Sequence, residues 1–261
     1  MRCGSPEETR EQLRAWYKRL PGEWLADEEM GLLDSILPTL FGYNLLQMGV
    51  SYANDCLASS KIPNQVVMDV DNPPCLDHLR ESSVHRKIGY LRGSPEQMPF
   101  ASDSLDVLLL SHSLDFTFEP HQVLREVDRT LIPEGHVVIL GFNPWGWWMW
   151  WRLILSWRGK PPWCGKFIRL NRLKDWLRLL GFDIVEVHGY FYRPPFSSKR
   201  IMDKLKFMDQ IGHRFWPFFS GAYLVVAKKR VATFTPIKPR WRPRRSKLVT
   251  PELAGNSSSV S

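Results

Sequence analysis

No stretch of this sequence is both apolar enough and long enough to cross a bilayer as a helix. Such a helix needs about 20 apolar residues, and the most apolar segment, Gly141 to Trp163, is interrupted by Arg152, then by Arg158, Lys160 and two prolines. The chain opens as "MRCGSPEETREQL", with no apolar run behind its first basic residue. Neither a secretory signal nor an amphipathic transit sequence is expected, and the reading is cytoplasmic. Cysteine is scarce: Cys3, Cys56, Cys75 and Cys164 form no CxxC pair, which argues against a zinc cage and leaves them expected as reduced thiols. The seven histidines make no HExxH or other short-spaced ligand set, so no metal site is expected. No internal repeat is seen.

What is present suits one globular domain with appendages: 261 residues, 44% hydrophobic and 24% charged. The net charge of +8 is uneven. Between Pro236 and Lys247, "PIKPRWRPRRSK" carries six Lys or Arg and no acid, and its prolines disfavour regular structure. Residues 233–261 therefore read as a basic, disordered tail, either a solvated end or a contact for an anionic surface. Stacking platforms for single-stranded nucleic acid interleave aromatic and basic residues, and this tail offers only Trp241, so nucleic acid is disfavoured as a partner.

Residues 1–40 read as an N-terminal helical segment. Ser5, Pro6 and Glu8 make a helix start, Leu13, Trp16, Tyr17 and Leu20 fall on one side, and Pro21 with Gly22 ends it. A second helix is expected from about Glu28 to Leu37. Residues 41–232 then alternate. "GYNLLQMG" and "NQVVMDV" read as buried strands, and "LDHLRESS" as a short helix. "LDVLLLSH" is a strand covered on both faces, "EPHQVLREVDRTL" a helix, and "IPEGHVVILGF" a turn at Pro133 and Gly135 followed by another strand. Strand, helix, strand at this length is a βαβ unit with parallel strands. "NRLKDWLRLLGF" gives a further helix, with Asn171 as cap and Gly181 as terminator, before two late strands, "DIVEVHGYF" and "GAYLVVAKKR", expected as an antiparallel pair at one edge. The fold class is α/β: three-layer, Rossmann-like and mostly parallel, with an antiparallel edge strand.

Ligands of such sheets bind beyond the carboxyl ends of the strands, near the switch in strand order. That selects Gly49, Asp69 or Asp71, Ser94 to Met98, and Ser111 to Ser113. Here "GSPEQMPFASDSLDVLLLSHSLDFTFEPHQVLREVDRTLIPEGHVVILGF", Gly93 to Phe142, resembles the core of class I S-adenosylmethionine-dependent methyltransferases, in particular the methyltransferase type 11 group. That family carries a "GDAxxLPFxDxSFDxV" block before the fourth strand, with "LPF" standing here as "MPF", and an "xPGG" turn before the fifth. The likeness runs from about Leu40 to Phe142. It implies S-adenosyl-L-methionine as cofactor and a site drawn from Met48, Gly49, Asp69, Ser94, Pro95, Met98, Ser111 and His112. Departures accompany the match. The loop after the first strand keeps only Gly49 of the family's glycines, and Ser94 and Pro95 replace the Asp and Ala of "GDA". A serine accepts the adenine hydrogen bond without charge, and Pro95 has no N–H to give. Outside the motif, Gly49 is equally a turn glycine, Asp69 a surface acid and Ser94 a loop residue.

His112 is placed to pack against the cofactor or to act as a base, with a structural histidine the plainer account. Methyl transfer from a sulfonium needs positioning more than a dedicated side chain, so no catalytic residue is named. The resemblance implies a methyltransferase acting on a small-molecule or lipid-like, apolar acceptor. The alternative is a non-catalytic protein of the same fold that binds a partner or ligand, with a membrane surface among the candidates. The tryptophan-rich insertion, residues 144–163, follows the fifth strand, where three roles stay open: packing over the sheet, a hydrophobic substrate wall or lid, and interfacial docking.

Overall fold

The computed structural model describes residues 6–49, 56–70, 88–146, 148–149, 153, 162–195, 200, 204–205, 208–209, 212 and 219–230. The expected helix at "LDHLRESS" and the basic tail lie outside these. The chain divides into two units, Met1–Val231 and Ala232–Ser261, and the first contains every described residue.

Two helices open the chain, α1 (Pro6–Tyr17) and α2 (Gly22–Ile36), the latter running into a 3-10 turn at Leu37–Thr39. Four strands follow: β1 (Asn44–Gly49), β2 (Asn64–Asp69), β3 (Ile88–Arg92) and β4 (Leu105–Ser111). A single turn, α3 (Ser113–Phe116), and the helix α4 (Pro120–Thr130) lead to β5 (Leu131–Phe142), then α5 (Leu170–Leu179), β6 (Phe182–Tyr190) and β7 (Ala222–Lys229). The seven strands form one sheet in the order β3-β2-β1-β4-β5-β7-β6. Pairings from β3 through β5 are parallel, and β7 is antiparallel to both β5 and β6. Strand order reverses between β1 and β4, where an α/β sheet opens its crevice.

Alternation along the strands feeds two apolar layers, one on each face. Leu45, Val67, Val107, Leu109, Val138 and Leu140 face α1 and α2, where Leu13, Tyr17, Leu25 and Leu33 are buried with them. Leu46, Met48, Leu108, Leu110, Val137 and Ile139 face α4 and α5, with Val123, Val127, Leu173 and Leu177. Each fully buried leucine contributes about 1.5–3 kcal/mol relative to exposure.

Several boundaries differ from the sequence reading. Helix α2 begins at Gly22 rather than near Glu28, because a proline directly ahead of a first turn starts a helix as readily as it ends one. The expected turn at Pro133 and Gly135 lies inside β5 as an irregularity: the register to β4 jumps from Leu105↔Leu131 to Val107↔His136. A bulge accommodates a proline that a regular ladder rejects. Arg169, not Asn171, occupies the N-cap position of α5, since the helix starts two residues earlier than its polar pattern suggests. Of the late antiparallel pair, β7 inserts beside β5 and β6 takes the edge. Cys164 is disulfide-bonded, which corrects the expectation of a reduced thiol there, and Cys56 is buried. Spacing alone does not show which distant cysteines the fold brings together.

Candidate cofactor site

The carboxyl edge of the sheet carries one continuous row of residues. Arg92 pairs with Asp69, Gly49 with Ser111, and Ser111 with Leu140, and the β1–β2 register places Asp69 beside Gly49. Asp69, Gly49 and Ser111 share the strand face of Val67, Leu45 and Leu109, so they look toward α1 and α2. Asp69 and Ser111 are both buried.

Helix α1 closes over this row. Arg10 and Arg14, one helical turn apart, each donate to a different carboxylate oxygen of Asp69. The same carboxylate accepts from the backbone N–H of Val70 at 2.7 Å. The Ser111 hydroxyl and Arg14 Nε are buried without a hydrogen-bond partner. Gly49 has φ +103°, and a Cβ there would stand 2.1 Å from the Ser111 carbonyl oxygen and 2.4 Å from Ser113 Oγ. The glycine is therefore required by the approach of two strand ends as well as by its own backbone conformation.

The remaining sequence-selected residues fall elsewhere. Met48 and Met98 point into the core on the opposite face, and the Met98 N–H donates to Glu126. Ser94 and Pro95 form a tight turn beyond β3: Ser94 bridges to Gln97, and Pro95 is buried. His112 has a left-handed backbone, φ 52°, and a fully buried side chain. Nε2 lies 2.9 Å from Glu29 and Nδ1 3.1 Å from Asp115, and the ring lies against Phe142 with centroids 4.1 Å apart. Burial alone would drive the proton off this ring. The charge of Glu29, the hydrogen bonds from Asp115 and Glu29, and the charge of Asp115 outweigh it and hold the pKa up at about 9. His112 is thus an imidazolium whose two N–H groups are both donated to carboxylates, so it has no nitrogen with which to act as a base.

Sequence reasoning passed over the groups that surround this histidine. Glu29 also accepts from Tyr190 at 2.9 Å and Tyr17 at 3.5 Å, and Asp115 accepts the Phe142 N–H at 3.1 Å. Burial, then the Glu29 charge, raises both tyrosine hydroxyls well above their ordinary range. The signal was present: Leu25, Glu29 and Leu33 stand at i, i+4 and i+8, so Glu29 is an acid inside the apolar stripe of α2. Arg10 and Arg14 likewise flank Leu13 and Tyr17 on the buried side of α1.

Residues 46–139 match the methyltransferase domain model of the type 11 group. The central part of the chain is therefore similar to a methyltransferase domain. The Uncharacterized protein YafS of Escherichia coli is 29% identical over 201 residues, covering 76% of this chain and 74% of YafS. The Ubiquinone/menaquinone biosynthesis C-methyltransferase UbiE of Vibrio vulnificus is 30% identical over 67 residues, 26% of each chain. The crystal structure of an S-adenosylmethionine-dependent methyltransferase from Mesorhizobium loti shares the fold, with a TM-score of 0.55 at 16% identity, covering 76% of this chain and 96% of that one.

S-adenosylmethionine is the cofactor of this domain family, and the donor set at the sheet edge fits its ribose. A buried carboxylate ends β2, an unpartnered hydroxyl ends β4, and a glycine stands between them. A carboxylate is the usual partner of ribose hydroxyls at the end of a second strand. The two α1 guanidinium groups hold that carboxylate in this structure.

Proposed function

We propose that the protein is an S-adenosylmethionine-dependent methyltransferase acting on a small-molecule, apolar acceptor. The reading is carried by one observation: Asp69, Gly49 and Ser111 stand in a single row at the carboxyl edge, beside the switch between β1 and β4. When bound, S-adenosylmethionine supplies an electrophilic methyl group. The chain's own residues position it. Asp69 accepts from the ribose hydroxyls, Ser111 offers the free hydroxyl, and Gly49 keeps the sheet edge free of a side chain. Helices α1 and α2 exclude water from the face on which these residues lie. His112 fixes α2 to the sheet through Glu29 and does not move a proton. Transfer then rests on alignment of the acceptor with the methyl group, as an in-line displacement requires. The short likeness to UbiE, a C-methyltransferase by its name, supports the reaction class.

The second reading is a non-catalytic protein of the same fold. The closure of Arg10 and Arg14 on Asp69 favours it, because a permanent double ion pair leaves no carboxylate for the ribose. Thermal unfolding with and without cofactor separates the two. The methyltransferase reading expects S-adenosylmethionine and S-adenosylhomocysteine, at millimolar concentration, to raise the melting temperature by several degrees. An unchanged melting temperature with both leaves the non-catalytic reading.

A further inference from the structure

A cleft of about 1350 Å³ opens beyond the carboxyl end of β5, between the start of α5 and the ends of β6 and β7. It lies on the α4 and α5 side of the sheet, whereas Asp69 and Ser111 face α1 and α2. Its floor is apolar or small, with the buried Ile168 and the half-buried Val187 and Gly189. Its walls carry aromatic side chains left in solvent: Trp145 is 54% and Phe219 49% exposed. Single exposed apolar residues need no explanation, but a concave group of them does.

The charge around this cleft is predominantly positive. Lys166, Arg169, Arg172 and Lys174 line it with a single acid, Asp175. Two of the cations rest on indole faces: the Arg169 guanidinium carbon is 4.7 Å from the Trp145 ring centroid, and that of Arg172 4.9 Å from Trp176. His121 packs on the other ring at 3.9 Å. A guanidinium laid flat on an indole keeps its in-plane N–H donors directed outward and is held in place without an anion. Helix α5 starts at the same edge with no side-chain cap, which adds positive potential there.

From this juxtaposition we infer that the cleft binds an anionic amphiphile, its carboxylate or phosphate on Arg169 and Arg172 and its apolar body along Trp145, Ile168 and Phe219. The inference goes beyond the proposed function: the cleft opens on the other face of the sheet from the Asp69 row, and binding there needs no cofactor.

The test is calorimetry on the full chain, without S-adenosylmethionine, using decyl phosphate, decanoate and decyl maltoside below their micellar concentrations. Both anionic probes are expected to bind at least about tenfold more tightly than the maltoside, the worth of one charge-assisted contact. The double variant Arg169→Gln/Arg172→Gln should remove that preference and leave the weak maltoside affinity unchanged. Trp145→Ala should weaken all three. Both arginines are exposed, so the variants should keep the wild-type melting temperature. Equal affinity for charged and neutral probes overturns the inference, as does a preference that survives the double variant. Flotation with phosphatidylglycerol vesicles adds a third arm. Vesicle binding that depends on the two arginines, without binding of monomeric probes, would assign the surface to a membrane and overturn the ligand site. Because no arm contains cofactor, failure of S-adenosylmethionine to bind leaves this result standing.

Discussion

At the scale of single residues, Gly49 is more constrained than a cofactor-loop glycine need be. Its φ of +103° and the 2.1 Å approach to the Ser111 carbonyl mean that Gly49→Ala must move a strand end. We expect that variant to lose about 1–3 kcal/mol in urea unfolding, whether or not cofactor is present. Stability equal to wild type would show that the edge of β1 is free to shift. His112 makes a second residue-scale prediction. Its pKa of about 9 in the fold lies above the ordinary value of 6.5, so its stabilisation is complete below pH 6.5 and is lost as pH rises through about 9. Glu28 acts in the same direction. Burial, the charge of Asp209 and the opposing Arg193 leave its carboxyl at about 7, and its contribution is lost from 4.5 up to that pH. The urea midpoint should therefore fall steadily from about pH 5 to pH 9, and His112→Gln should remove the upper part of the fall. A flat profile in the wild type would contradict the buried imidazolium.

At the scale of elements, the strands were legible because continuous apolar runs such as Leu105–Ser111 have few alternatives once covered on both faces. The helix α4 was equally plain from Val123, Leu124 and Val127. What escaped was set by tertiary geometry: the one-turn α3, the bulge that keeps Pro133 within β5, and the insertion of β7 inside the sheet. The tryptophan-rich insertion resolves in part. Trp148 is fully buried, stacks on Phe142, meets Trp16 and Trp163, and donates Nε1–H to the Arg193 carbonyl at 3.1 Å. Trp145 of the same segment lines the α5 cleft, and most of the insertion lies outside the described residues. Helix α1 carries the element-scale prediction. If its arginines must yield Asp69 to the ribose, Arg10→Gln/Arg14→Gln should tighten S-adenosylmethionine by about threefold to tenfold while lowering the melting temperature by a few degrees. Weaker cofactor binding in the double variant would instead make the arginines part of the bound site.

At the scale of the whole molecule, the candidate site is assembled from residues that no local motif connects. Arg10 meets Asp69 across 59 positions of sequence, Glu29 meets His112 across 83, and Tyr190 meets Glu29 across 161. The strand ends and the two N-terminal helices were therefore predictable, while the closure of those helices over the strand ends was not. No helix among the described residues is long and apolar enough to cross a membrane. The central claim is that the row of Asp69, Gly49 and Ser111 receives the cofactor, and calorimetric titration with S-adenosylmethionine tests it most directly. The account predicts measurable binding to the wild type and at least about tenfold weaker binding to Asp69→Asn, with Ser111→Ala intermediate. Wild-type affinity in both variants, or no heat at millimolar cofactor with the wild type, would contradict it.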